Sequence, residues 1–237
     1  DNSRKSLGYY TKIGNHYNAG ITSIVLSDSY AQIGYFNEME EYLKESKSVF
    51  SEFNNYFILG KIDALFGLEY FNTKQFKKSI LSFESAIENL QIDDSRIWVL
   101  KYSIKMAQVF IFWSKWDRAL KVIERCKALG NKISNLDQAN FDTLNAMVLY
   151  IKCGLNELSK DELLKAIKTS LNNEDRYYLI WYYLGKSSKK LNMPSEYLQC
   201  FKLGQKDLRK KADLISNEIH RKSFLNNLLI HEELMKS

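Results

Sequence analysis

Apolar residues along this chain return every three or four positions, the spacing of one helix face, and the faces themselves return at a longer period. A lane of large apolar residues reads Leu43, Phe83, Ile123, Leu163 and Phe201. Three positions on, a small-residue lane reads Ser46, Ala86, Cys126, Ala166 and Gly204. An aromatic lane reads Tyr30, Tyr70, Phe110 and Tyr150, with Ser188 as the exception. A second small lane reads Ser27, Gly67, Ala107 and Gly185, with Met147 as the exception. The helix interruptions supply a fifth lane, Gly34, Lys74, Ser114, Gly154 and Asn192. Five lanes sharing steps of 40, 40, 40 and 38 residues define an internal repeat.

Each lane has a physical reading. A small residue lets two helix backbones cross closely, and the large apolar residue one turn away fills the space beside the crossing. Aromatics supply buried area between successive helix pairs. Glycine, Asn or Ser at an interruption releases the chain from the helix, Gly by tolerating left-handed dihedrals. The pattern predicts paired helices at about 21–33 and 37–53, 55–72 and 75–90, 96–113 and 116–129, 136–153 and 156–171, and 174–191 and 194–214. A helix over 6–19 and another over 217–235 would cover the two ends. The expected fold is all-α, a right-handed superhelical α-solenoid of about five stacked antiparallel hairpins plus capping helices. No linker or low-complexity stretch divides residues 1–237, so a single domain is expected.

Composition narrows the picture. With 45% hydrophobic residues, one Pro and ten Gly in 237 residues, the chain can bury a continuous core and has few turn formers. Apolar runs such as Val109 to Trp113 fall far short of a membrane span. Cys126, Cys153 and Cys200 are scattered and odd in number, which points away from a disulfide framework or zinc site and toward a reducing cytoplasm. Lacking an initiator Met, the chain reads as a fragment of a larger multidomain protein. The net charge of +6 is mostly C-terminal: from Leu184 onward eleven Lys and Arg oppose six Asp and Glu, 11 − 6 = +5. An anionic partner could dock there, although Lys-rich solvated helix faces account for the same count.

Trp181-Tyr-Tyr-Leu184-Gly185 fits the W-x-x-L-G opening of a tetratricopeptide repeat. Together with the lanes, it makes most of the chain resemble that family, and the long period resembles its maltose-regulator-like subclass. The stretch Ile13-Gly-Asn-His16-Tyr17-Asn-Ala19-Gly20, continued by Asp28-Ser-Tyr30-Ala31 and by Glu38 to Leu43, is similar to a segment that follows the ATPase domain in multidomain signalling proteins such as class III adenylate cyclases and some serine/threonine kinases. Arg221-Lys-Ser223-Phe224-Leu225-Asn-Asn resembles the R-x-S-F-L-E-N element closing such arrays, with Asn226 in place of Glu. The resemblance implies a regulatory or interaction platform and carries over no catalytic residue.

The first helix of each hairpin would line the inner surface. Its inward positions are expected to include Ile24 and Asp28, Leu68 and Phe71, Gln108 and Phe112, Leu144 and Val148, then Tyr182, Lys186 and Lys189. An amphipathic helix or extended peptide would bind along them, with an acidic tail reaching Lys186, Lys189 and Lys190; packing of the superhelix itself is the competing role for the same residues. The lane Ile24, Ala64, Ile104, Leu144 and Tyr182 lacks the Lys/Asn pattern with which some tetratricopeptide co-chaperones hold a terminal carboxylate. Sequence-adjacent pairs such as Asp161-Glu162 point about 100° apart on a helix and form no acid/base pair by themselves. Asp93-Asp94-Ser95 suits a helix N-cap. The basic run Lys206, Arg209, Lys210 and Lys211 has only Phe201 nearby as an aromatic, a poor match to a base-stacking nucleic-acid face.

No phosphate loop, dinucleotide fingerprint or nucleophile–histidine arrangement is present, so neither catalysis nor a cofactor or metal is expected. The expected function is a non-catalytic, cytoplasmic interaction module that binds a protein or peptide segment, possibly of its own polypeptide. The alternative is the ligand- or peptide-pheromone-sensing domain of a transcription regulator.

Overall fold

The computed structural model describes residues 2–133, 138–172 and 177–236, and among them it is all-helical. The helices are α1 (Asn2–Lys12), α2 (His16–Gln32), α3 (Phe36–Glu52), α4 (Tyr56–Asn72), α5 (Phe76–Ile92), α6 (Arg96–Phe112), α7 (Trp116–Gly130), α8 (Gln138–Gly154), α9 (Lys160–Leu171), α10 (Tyr178–Lys190), α11 (Pro194–Ala212), α12 (Glu218–Asn226) and α13 (Leu229–Met235). None of them is long and apolar enough to cross a membrane.

From α2 to α6 each helix has 17 residues and each connection three, a module of 17 + 3 = 20 residues. The middle residue of each connection is left-handed: Gly14, Gly34, Asn54, Lys74, Asp94 and Ser114 have φ of 70°, 76°, 49°, 60°, 54° and 55°. The amide that follows closes a wide turn onto the carbonyl five residues back, as in Tyr35 N–Tyr30 O (2.9 Å), Gln75 N–Tyr70 O (2.7 Å) and Lys115 N–Phe110 O (2.8 Å). These bonds satisfy carbonyls that a helix end leaves unpaired. Asn15 and Asn55 then cap the next helix, their side chains accepting from the amides of Asn18 and Ile58.

This turn chemistry moves several expected boundaries. Gly14 ends α1 and Asn15 starts α2, so the helix expected over 6–19 is divided. Gly154 stays helical, its backbone close against the Trp116 ring, and the left-handed residue is Asn156 at φ 62°. Helix α9 begins at Lys160 rather than 156 because the Ser159 hydroxyl accepts from the Glu162 amide. Asp93 and Asp94 end α5, as C-cap and left-handed residue, instead of capping α6. The final expected helix breaks at Leu228, whose extended backbone (ψ 124°) starts α13 and lets Leu229, Ile230 and Leu234 turn inward. The expected starts near 136 and 174 lie outside the described residues.

The chain divides into two compact units, Asp1–Met106 and Ala107–Ser237, with the boundary inside α6. In the N-terminal unit α2 packs on α3 and α4, and α4 on α5. Here the lanes act as their chemistry requires. A Cβ on Gly67 would stand 3.0 Å from the Phe83 ring, and one on Gly60 2.7 Å from Leu90 Cγ. Close approach also lets hydroxyls bond across the crossings: Ser79 Oγ donates to Gly67 O (2.7 Å) and Ser46 Oγ to Gly20 O (3.2 Å).

In the C-terminal unit α10 packs on α8 and α11, and α11 on α12 and α13. Trp181, Tyr182 and Tyr183 are fully buried on α10. Gly185 meets Phe201 of α11 as Gly67 meets Phe83. All five large-lane residues are buried, whereas Ala166 of the small lane is partly exposed.

Candidate functional site

The inner-lane residues fall into both units. In the N-terminal unit Ile24 and Phe71 are buried, and Asp28 and Leu68 are half-buried. The Asp28 carboxylate accepts from Gln32 Nε2 at 3.0 Å, and Leu68 packs onto the core around Leu65 and Ile62.

In the C-terminal unit Gln108, Leu144 and Tyr182 are at most 1% exposed, and Phe112, Val148 and Lys186 are half-buried. Lys189 is exposed, its ammonium 5.3 Å from the centre of the Tyr197 ring. Phe112 and Tyr182 are parallel within 2° at 6.3 Å. Their neighbour is the chain itself: Glu233 of α13 accepts from Tyr182 Oη at 2.6 Å and from Lys186 Nζ at 2.8 Å. Lys186 is thus engaged by a carboxylate of the last helix. Burial, reinforced by Glu233, pushes the Tyr182 phenol far above its ordinary pKa, so it stays a hydrogen-bond donor. Beside it, the Gln108 amide and the Tyr183 hydroxyl are enclosed without a well-formed hydrogen bond. A separate concavity between α8, α9 and α10, about 330 Å³, is lined by Ala146, Leu149, Ile180 and Leu184 together with Asp142 and Lys165.

Two polar arrangements in the N-terminal unit escaped the lanes. The first is structural. Asp63 of α4, 8% exposed, accepts from Lys47 Nζ of α3 (2.8 Å) and from Ser85 Oγ (2.7 Å) and Asn89 Nδ2 (3.3 Å) of α5, which ties three helices through one carboxylate.

The second arrangement is half-buried, with Lys101 its exposed member. Trp98 of α6 stacks on Tyr102 (5.8 Å) and meets Phe57 of α4 edge-on (6.2 Å). Two ammonium groups lie over its indole, Lys61 Nζ of α4 at 4.6 Å and Lys101 Nζ of α6 at 4.4 Å. Desolvation lowers the Lys101 pKa, Asp28 opposes this, and repulsion from Lys61 adds to it. The signal was available in the sequence: Lys61 and Lys101 are 40 residues apart, one repeat, each near an aromatic residue at the start of its helix.

The three cysteines are buried and free. Burial pushes Cys126 and Cys200 up to about 12 and raises Cys153 as well, the opposite of what a nucleophilic thiolate needs.

Compared with protein-family models and with curated proteins, the chain matches none.

Proposed function

We propose that this chain is a non-catalytic interaction module of tetratricopeptide type, its hairpins stacked in a right-handed superhelix, that binds a protein or peptide segment on the first helices of its hairpins. The observation that carries the reading is the shared position of a set of half-buried aromatic and cationic side chains. Phe57, Lys61, Trp98 and Lys101 stand on α4 and α6, the first helices of their pairs, and gather around one indole. A rigid stack presenting such a surface suits binding of an extended or helical segment. The deeply placed polar groups have packing work instead: Asp63 joins three helices, Glu233 fastens the last helix, and the cysteines are buried thiols. In this reading the module works in the cytoplasm, within a larger signalling protein.

Peptides selected from a random display library on the intact chain test the reading. Bound peptide should slow hydrogen exchange in α2, α4 and α6, or in α8 and α10, and leave the outer faces of α3, α5 and α11 unchanged. Protection confined to the second helices, or a reproducible turnover of any substrate by the chain alone, would refute it.

A further inference from the structure

The two lysines on Trp98 have no carboxylate at ion-pair distance. Among the described residues neither Lys61 nor Lys101 makes an ion pair. Lys47, on the neighbouring helix, reaches Asp63 at 2.8 Å. Lys61 and Lys101 instead converge on one indole, and Lys61 also lies 5.8 Å from the Phe57 ring centre. Cation–π contact holds each ammonium; Asp28 offsets the repulsion from Lys61 at Lys101 without reaching ion-pair distance, and the desolvation that Lys101 feels strengthens any charge brought beside it. The adjoining residues are apolar and open: Tyr56 and Ile97 are 40% and 61% exposed, next in sequence to Phe57 and Trp98.

We propose that Lys61, Trp98 and Lys101 form the docking point for an acidic peptide segment, one that sets an Asp or Glu carboxylate against the two ammonium groups and an apolar side chain against Trp98 and Ile97. The occupant follows from charge complementarity: two unpaired cations on an aromatic platform, bordered by exposed apolar side chains, match a segment that alternates acidic and apolar residues. The proposal rests on the peptide-binding reading above and adds the site and the chemistry of the partner.

The test uses the intact chain. Dodecapeptides selected from a random display library are made with a fluorescein label, and their affinities are read by anisotropy at low and high salt. Acid-rich sequences should be enriched, and binding should weaken with salt. The double variant Lys61→Ala/Lys101→Ala should lose about tenfold or more, the scale of losing charge-assisted contacts to a partner. Lys61→Glu/Lys101→Glu, selected afresh, should yield basic peptides, a gain that an unfolded variant cannot produce. Lys77→Ala, on the exposed face of α5, should bind as the parent does. Peptides that bind all variants alike would overturn this site and leave the peptide-binding reading standing. Selection of no peptide, with phosphatidylserine–phosphatidylcholine vesicles bound through Lys61 and Lys101, would assign the site to a membrane surface and overturn the proposal. No peptide and no vesicle binding would overturn both readings.

Discussion

Replacing Gly185 with Ala probes the closest helix crossing in the C-terminal unit. A Cβ built there would lie 2.5 Å from Phe201 Cε2, nearer still to Cδ2, and 3.3 Å from Cys200 Cβ. Ordinary carbon–carbon contact is about 3.5–4.0 Å, so the ring must move by about an ångström. It has little freedom: Phe201 is 4% exposed, with Tyr197 at 4.7 Å and Tyr182 at 6.3 Å. Overpacking at such a site costs about 2–3 kcal/mol. Against this, Ala is favoured over Gly inside a helix by about 0.8–1.0 kcal/mol. The net destabilisation is about 1–2 kcal/mol, a fall in Tm of about 2–8 °C for a chain of this size. Gly8→Ala is the matched control. It lies in α1 with nothing within 4 Å of its Cβ, so only the propensity gain operates and stability should rise slightly. Urea titration followed by far-ultraviolet circular dichroism reads both variants. Because helix arrays can unfold in parts, hydrogen exchange should localise the Gly185→Ala effect to α10 and α11. Adding Phe201→Leu should recover part of the loss. A Gly185→Ala chain as stable as the parent, with unchanged exchange in both helices, would show that the crossing does not require a bare backbone.

Asp63→Ala removes the shared acceptor for Lys47, Ser85 and Asn89 and should destabilise by about 2–3 kcal/mol, below the full range for a buried pair because Lys47 is half exposed; a urea midpoint within error of the parent would contradict the three-helix tie. Lys74→Gly relieves a left-handed lysine at φ 60° and should stabilise by about 0.5–1 kcal/mol in the same titration, whereas Lys74→Val should destabilise. Burial and then Glu40 raise the Glu69 carboxyl, so its folded pKa exceeds the unfolded one: stability is highest below the unfolded value and declines as pH rises through the folded one. Glu69→Gln should therefore be more stable than the parent at neutral pH and lack that decline, which denaturation at a series of pH values would show. Finally, Cys126, Cys153 and Cys200 should resist Ellman's reagent at pH 8 in the native chain and react fully in urea; fast native labelling of Cys126 would contradict a thiol held near 12.

What the sequence determined is the succession of helices from α3 to α11 and the large apolar residue at the centre of each buried face; the two ends were divided differently from the pattern. Leu43, Phe83, Ile123, Leu163 and Phe201 recur at one period because a helix repeats its faces within the chain, and all five are buried. The turn lane was legible for Gly34, Lys74, Ser114 and Asn192. It failed at Gly154, because composition alone does not distinguish a glycine needed for a left-handed φ from one needed to admit the Trp116 ring. Tertiary packing decided which side chains meet across helices. Nothing local in α13 reveals that Glu233 answers Tyr182 and Lys186 some fifty residues earlier, or that Asp63 gathers donors from α3 and α5. Lys61 and Lys101 stand one repeat apart and went unread in the lanes, because only the packing of α4 beside α6 brings both ammonium groups onto Trp98. The physical reason is the range of each force. Backbone hydrogen bonding and side-chain periodicity act within a few residues, and so are written along the chain. Electrostatic partnership depends on distances of a few ångströms between groups far apart in sequence, which exist only once the helices have stacked.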